Sequence, residues 1–412
     1  MKSDAQNTDA QSDKSIKKIA IGDVVEIDIK DVAHGGHFVA HHQNQVIFVR
    51  HAITGERVKA KITHANNKIL LADAVEVISP SKYRVKPKCK YLSDSAERKC
   101  GGCDFQHIDI EYQRQLKKQV VEDQFYRLAK FDLKNFKGID STPFDLVQVD
   151  PKDGWNWRTR MNFAVTVAGK MGMFPHHSNK PIEISECQIA DERLKISEFA
   201  KRNWSGKSKV SLELVADSEV SVKLSHGEDV GIFWQSHINA QEVLTDYIRD
   251  KVKISAGAKI LDLYSGVGVF AQFVLSIQPA LSALSLVDTS PESIKFAKQN
   301  ISNLIGKNSA IKFEANAVEV LKYLRNQVNE NRSWDLAIVD PPRSGLNQQI
   351  IELLAKLKLT ELVYISCDPA SLARDFSNLV KSGYRLNHIK SFDLFPMTQH
   401  IETVAIFSSV LR

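Results

Sequence analysis

The sequence predicts an α/β chain in three parts: a small OB-like β-barrel at the N-terminal end, a central α+β segment, and a Rossmann-like, doubly wound sheet at the C-terminal end. Three observations predict it. From about Ser255 apolar runs alternate with helical ones: strands at Lys259–Leu263, Leu284–Val287, Ile311–Glu314, Leu336–Val339 and Leu362–Ser366, with helices clearest at Pro291–Asn300 and Val318–Gln327. Between Ile21 and Ser79 short stretches alternate apolar and polar residues with a period of two. The chain has 412 residues, more than one core usually holds.

The parts follow in order. Residues 1–18 are almost all polar and have no apolar core, so a disordered tail is expected rather than a signal peptide. Residues 19–80 form the expected barrel. Val25, Ile27 and Ile29 alternate with Glu26, Asp28 and Lys30; Gln45–Val49 and Ile69–Val77 read as further strands. Val58, Ala60 and Ile62 alternate with Arg57, Lys59 and Lys61, whose basic face is either a solvated strand face or a nucleic-acid surface. His34, His37, His41 and His42 crowd one expected loop, open to three readings: a second metal site, an RNA-facing loop or a solvated one.

Residues 81–250 hold a linker, a cysteine-rich loop, a helical run from Ile110 to Lys130, a strand-like run from Trp157 to Val167, and a hairpin of Lys209–Val215 with Glu219–Leu224. The basic stretch Lys201–Lys209 contains Trp204 and is either an RNA contact or an exposed loop. Residues 251–412 carry the parallel sheet. The net charge of +6 is compatible with a polyanionic partner. No apolar run reaches the roughly 20 residues of a membrane span, so a cytoplasmic protein, expected to be a monomer, is predicted.

The five cysteines argue for ligation or catalysis rather than a disulfide framework. Cys89, Cys100 and Cys103 are clustered, Cys187 is distant, and Cys367 stands apart. Cys100-x-x-Cys103 brings two thiolates within reach of one metal centre; on spacing alone structural zinc is favoured over an iron–sulfur cluster.

In the last part, Asp262-Leu263-Tyr264-Ser265-Gly266-Val267-Gly268 runs from a strand through a glycine turn into a helix, and Asp288 ends the next strand. That carboxylate position suits a ribose hydroxyl. The absence of a third glycine favours S-adenosylmethionine over a dinucleotide. Asp340-Pro341-Pro342-Arg343 resembles the motif of amino-group methyltransferases, but Arg343 stands where they carry an aromatic residue that stacks on the base. Cys367, at the end of the fifth strand in Ser366-Cys367-Asp368-Pro369, suits attack on carbon 6 of uracil, which turns carbon 5 into a methyl acceptor. Glu402, with His400 as rival, is a candidate base; a solvated strand-end carboxylate is the plainer reading.

Those segments, with Phe233-Trp234-Gln235, Asp340 to Gly345 and Pro396 to Glu402, resemble the RNA (uracil-5-)-methyltransferase family. The resemblance implies a class I methyltransferase domain in which Cys367 attacks and Glu402 removes the carbon-5 proton. It also implies that Gln235, Tyr264, Gly266, Asp288, Asn316 and Asp340 line the pocket for S-adenosylmethionine and the base. Cys100 to His107, followed by Tyr112 and Gln113, is similar to the branch of the family that carries a 4Fe-4S cluster, which implies Cys89, Cys100, Cys103 and Cys187 as ligands. Gly35-Gly36 and Ile53 to Val58 resemble a TRAM domain, an RNA-binding module. TRAM domain plus cluster points to 23S ribosomal RNA as partner, with transfer RNA the alternative. The chain departs from the family at His237, Val269, Asn316 and Asp368. Two other classes stay open: a nitrogen-directed nucleic-acid methyltransferase, and a non-catalytic RNA-binding protein.

Overall fold

The computed structural model describes residues 19–410 except 67–68, 94–97, 177, 216–218, 226–235 and 307–309. The expected tail and Gln235 therefore lie outside the described residues. Two compact units result: residues up to Asp31 with His37–Ser81, and Val32–Gly36 with Lys82–Arg412.

The smaller unit is a closed barrel of β1 (Val24–Ala33), β2 (His37–His42), β3 (Gln45–Arg50), β4 (Arg57–Ala65) and β5 (Leu70–Ser79), in the order β1-β2-β3-β5-β4. Alternation drives it: Ile27, Ile29, Val58, Ala60 and Ile62 are buried, and their polar neighbours face outward. The histidine-rich stretch is not one loop, because His37–His42 is strand β2, zipped to β3 from Phe38↔Val49 to His42↔Gln45. The basic face of β4 is partly neutralised by its neighbouring strands β1 and β5. Arg57 bonds Glu26 at 2.6 Å and Lys59 bonds Glu76 at 2.8 Å, which favours the solvated-face reading.

In the larger unit, β6 (Leu146–Gln148) precedes an antiparallel sheet of β7 (Arg160–Val165), β8 (Met171–Met173), β9 (Ile182–Glu183), β10 (Lys209–Val215) and β11 (Glu219–Ser225), ordered β11-β10-β7-β8-β9. The expected hairpin is present in register, Lys209↔Ser225 to Val215↔Glu219. Trp204 is core, with its indole N–H donating to the Phe199 carbonyl at 3.0 Å, so it is not an exposed RNA contact.

The remaining strands are β12 (Lys259–Leu263), β13 (Ala283–Asp288), β14 (Lys312–Ala317), β15 (Leu336–Val339), β16 (Glu361–Ser366), β17 (Tyr384–Asp393) and β18 (Glu402–Ser409). With β6 they form one sheet ordered β14-β13-β12-β15-β16-β18-β17-β6. Strands β12 to β16 are parallel to one another; β18 runs antiparallel to β16 and β17. Ile260, Leu284, Leu286, Ile338, Val363, Ile365, Val404 and Ile406 build its core. Strand β17 is not among the expected elements. The sequence boundary at 250/251 does not separate compact units, since β6 from the central segment pairs with β17 at the sheet edge. Among the described residues no helix is long and apolar enough to cross a membrane.

Candidate active site

The carboxyl ends of β12, β13, β15 and β16, with the first residue of β18, converge at one end of the sheet. The turn after β12 is built for close approach. Tyr264 takes a left-handed conformation (φ 60°), sparsely populated by residues with a side chain. Gly268 has φ 81° and opens the helix Val269–Ile277; a β-carbon there would press on the Leu286 side chain at 3.0 Å. Asp288 braces the turn: one carboxylate oxygen accepts the Gly266 N–H at 3.0 Å and the other the Ser290 N–H at 2.8 Å. Asp262 is buried beneath and accepts the Ala271 N–H at 3.1 Å. Burial, then Asp340 and Asp288, push its carboxyl up to about 8. Asn316 ends differently: its amide donates to Ser285 Oγ at 3.2 Å and to the Leu286 carbonyl at 3.4 Å, holding it against β13.

Ser366 of β16 pairs with Thr403 of β18. Cys367 directly follows that pair on one strand and Glu402 directly precedes it on the other, which brings the Glu402 carboxyl near enough to act on the thiol. Cys367 is half-buried; burial first, then Glu402 and Asp340, push its thiol up to about 12, and Arg343 is the cation that pulls it back. Glu402 is almost fully buried, and burial, then Asp340, raises its carboxyl well above the ordinary range while Arg343 opposes this. The Arg343 loop is held by Gly345 (φ 73°), where a β-carbon would collide with the buried Asp375 carboxylate that accepts the Leu346 N–H at 2.6 Å and the Tyr364 hydroxyl at 2.8 Å. Arg343 also lies 3.2 Å from His400, whose imidazole is lowered to about 4 by burial and by that cation, so it is neutral at neutral pH.

Asp368 does not stand free beside the thiol. It caps the helix Pro369–Lys381, accepting the Ser371 N–H at 2.7 Å, and its other oxygen meets His34 Nε2 at 3.0 Å. Burial opposes its ionisation, but the His34 and Ser371 bonds outweigh that and hold it at about 2. His237 is buried, stacks on Trp157 at 5.6 Å and accepts the Asn239 N–H at 3.0 Å.

The other four cysteines, all free thiols, line one cavity with Gln106, Arg158 and Ile189. Among the described residues no three His, Cys, Asp or Glu side chains are close enough to hold a single metal ion. A single ion gathers its thiolates about 2.3 Å from one point, whereas a cubane cluster spreads four cysteines around a larger body. The sulfurs meet N–H donors: Gly102 reaches Cys100 at 3.4 Å, Tyr91 and Leu92 reach Cys89, and Ile189 and Ala190 reach Cys187. The buried Arg158 guanidinium faces Cys187 and Cys103. Burial raises all four thiols, Cys100 to about 12, and these donors and the cation oppose that rise, as they would for a bound thiolate.

Sequence reasoning missed a row of cations. Lys82, Arg84, Lys86, Lys88 and Lys90 occupy every second position between a turn at Lys82 and the short helix Lys90–Leu92, and all but Arg84 are exposed. Alternation with Tyr83, Val85, Pro87 and Cys89 is visible in the sequence, but the stretch reads as part of the linker. Asp109 and Val85 N–H bonds to the Tyr83 and His107 carbonyls, 2.8 and 3.0 Å, pin its backbone. Lys82 sits 4.9 Å over Tyr83, itself stacked on Tyr112, and Lys88 sits 5.0 Å over Trp155. Next to Trp155, Gly154 packs on Pro396 and Met397, so the row leads to the loop that precedes Glu402.

Residues 214–410 match the family model described as tRNA (Uracil-5-)-methyltransferase, and residues 19–75 match the TRAM domain. An uncharacterized RNA methyltransferase of Streptomyces avermitilis is 32% identical over 95% of this chain and 100% of its own. One of Streptomyces coelicolor is 31% identical over 95% of this chain and 94% of its own. The crystal structure of the Pyrococcus abyssi tRNA (uracil-54, C5)-methyltransferase in complex with S-adenosyl-L-homocysteine has the same fold, with a TM-score of 0.65 and 21% identity over 92% of this chain and 99% of that one.

Proposed function

The chain belongs to the RNA (uracil-5-)-methyltransferase family, and from that premise we propose that it methylates a uridine of 23S ribosomal RNA at carbon 5, with Cys367 as nucleophile and Glu402 as base. The observation that carries the reading is the juxtaposition of Cys367 and Glu402 across the ends of β16 and β18, beside Asp340 and Arg343. S-adenosylmethionine supplies the methyl group as a sulfonium. Tyr264, Gly266, Asp288, Asp340 and Gln235 are the residues proposed to hold it; Asn316 contributes by bracing β13.

Cys367 attacks carbon 6 of the uracil as thiolate, and the electron pair of the C5–C6 bond moves toward carbon 5 and oxygen 4. Carbon 5 then takes the methyl group, leaving S-adenosylhomocysteine. Glu402 removes the carbon-5 proton, the C5–C6 double bond re-forms, and the Cys367 thiolate leaves. The resting thiol is protonated, because burial and two carboxylates oppose its ionisation. Arg343 stabilises the thiolate when RNA is bound. His34 and the helix N-terminus hold the charge of Asp368 away from that task.

The RNA class rests on the TRAM domain together with the four-cysteine centre. The likeness to a transfer-RNA enzyme favours transfer RNA as the second reading. Mass-spectrometric mapping of RNA from a deletion strain decides: loss of a 5-methyluridine from 23S RNA supports the proposal, and loss from transfer RNA replaces it.

Cys89, Cys100, Cys103 and Cys187 are proposed as ligands of a 4Fe-4S cluster that holds the central segment in shape; methyl transfer needs no redox step. Protein purified without oxygen is expected to be brown and to contain about four irons per chain, with Cys103→Ser losing them. Stoichiometric zinc without iron would overturn the assignment.

The cation row is proposed to track the RNA backbone toward the active site. Replacing Lys82, Lys86 and Lys88 together by Gln is expected to reduce the slope of log affinity for RNA against log salt by about 2. The same change at Lys295, Lys298 and Lys322 serves as control. Equal slopes for the two triple variants would remove the row from the RNA path.

A further inference from the structure

We propose that Asp104 and Gln113 are positioning residues for the catalytic base, coupling the four-cysteine loop to the segment that delivers Glu402. The proposal rests on the assignment of Glu402 as base. Residues 394–401 connect β17 to β18 and end directly on Glu402. The middle of this connection is gripped from one side by the residues that follow Cys103. Asp104 accepts the Gln399 N–H at 3.1 Å. The Phe105 N–H donates to the Met397 carbonyl at 3.0 Å. Gln113, fully buried in the first turn of the helix Ile110–Gln124, accepts the Met397 N–H at 3.0 Å. Its amide group then donates to the Phe105 and Ile108 carbonyls at 3.1 and 2.9 Å, tying the grip together.

Met397 is the residue that needs holding. It is left-handed (φ 66°), a conformation that costs a side-chain-bearing residue free energy and persists only where the surroundings impose it. Both of its backbone polar groups are bonded to this grip, and that fixes the direction in which the chain enters β18. Deeper anchors hold the start of the connection: Lys117 donates to Asp393 at 2.7 Å and to the Phe395 carbonyl at 2.9 Å, and Arg114 donates to Asp393 at 3.1 Å. The same short stretch also serves the cysteines. Gln106 accepts the Cys89 N–H at 3.3 Å and bonds to Cys103. The segment 103–108 therefore faces the cysteine cavity on one side and the base-bearing loop on the other.

A base displaced by an ångström loses proton transfer before it loses binding. The affected step is the last one, removal of the carbon-5 proton, while attack by Cys367 and methyl transfer depend on other anchors. The test uses the full-length protein with stoichiometric substrate RNA and S-adenosylmethionine. Asp104→Ala is expected to slow proton elimination about 10- to 100-fold, the range for a lost charge-assisted hydrogen bond, so that the methylated protein–RNA adduct accumulates on a denaturing gel. Adduct formation and S-adenosylmethionine affinity stay within about twofold of wild type. Asp104→Asn keeps an acceptor for the Gln399 N–H and restores most of the turnover. Hydrogen exchange at Met397 and Gln399 rises in Asp104→Ala, while the amides of β16 stay protected. Wild-type turnover by Asp104→Ala, or an equal loss in every step, overturns the inference. If Glu402→Gln itself accumulates no adduct, the assignment of the base has failed; unchanged exchange at Met397 and Gln399 in Asp104→Ala shows that the positioning claim has failed.

Discussion

Cys367→Ala is expected to lower methyl transfer by about 10⁴-fold or more, the scale seen when a covalent nucleophile is removed, while leaving RNA and S-adenosylmethionine affinity nearly unchanged. The reason is that nothing else on the described end of the sheet offers a nucleophile at the required place. Ser366 uses its hydroxyl to bond the Asp368 backbone at 3.0 Å, and His400 is pinned between Arg343 and Gln399. RNA carrying 5-fluorouridine makes the test direct. Fluorine cannot leave as a proton, so the wild-type enzyme stops at the adduct and a shifted band appears on a denaturing gel, whereas Cys367→Ala gives none. Retained activity in Cys367→Ala would move the chain to the nitrogen-directed reading suggested by Asp340-Pro341-Pro342. A wild-type protein that binds the RNA and shows no band would remove covalent catalysis altogether.

Glu402→Gln is expected to reduce turnover about 10²- to 10⁴-fold, the usual worth of a positioned base, and to accumulate the methylated adduct that the wild type resolves. The pH dependence has a definite sign. Proton removal needs the ionised carboxylate, and burial with Asp340 raises the Glu402 carboxyl well above the ordinary value of 4.5. Wild-type turnover therefore falls as pH drops through that raised pKa, well above the range of an exposed carboxylate. Stability runs the other way. Because the folded pKa lies above the unfolded one, the unfolded chain binds fewer protons between the two, and stability falls as pH rises through that window. Glu402→Gln escapes this cost, so it should melt higher than wild type at neutral pH, the difference vanishing below about pH 4. A variant that turns over like wild type would exclude Glu402 as the base and return attention to His400, which its environment keeps neutral at neutral pH.

Asp368 shows where sequence reasoning stopped. A carboxylate next to the proposed nucleophile implies a need for a compensating cation, and Arg343 does oppose the rise of the Cys367 thiol. Yet the larger answer is that Asp368 is already engaged, by Ser371 in a helix cap and by His34 from more than three hundred residues earlier in the chain. The cap was legible, since Asp followed by Pro is a helix-start signature. The partner was not, because nothing in the neighbourhood of either residue specifies the other. The basic face at Arg57 and Lys59 carries the same lesson: strand alternation foretold the face, and only the pairing of β4 with β5 and, at barrel closure, with β1 brought Glu76 and Glu26 beside it. Strand β17 went unread because its polar residues interrupt the apolar pattern; Ser391 and Asp393 are fully buried, satisfied by Thr403, Lys117 and Arg114.

The sequence by itself determined the N-terminal barrel, the alternating strands and helices of the C-terminal sheet, the glycine turn, and which residues are proposed to react. These are local: periodicity, turn residues and side-chain type are set within a few positions. The division of the cysteines, four clustered by resemblance to a ligand set and Cys367 apart, was likewise legible, and the structure adds that the four line one cavity. Tertiary structure decided what meets what. The antiparallel return of β18 brings Glu402 to Cys367, and Asp104 and Gln113 tie the cysteine loop to the chain that enters β18. Such contacts join residues well separated in the chain, the cysteine loop and the chain entering β18 by nearly three hundred positions, where strand order and packing, not local propensity, select the partner.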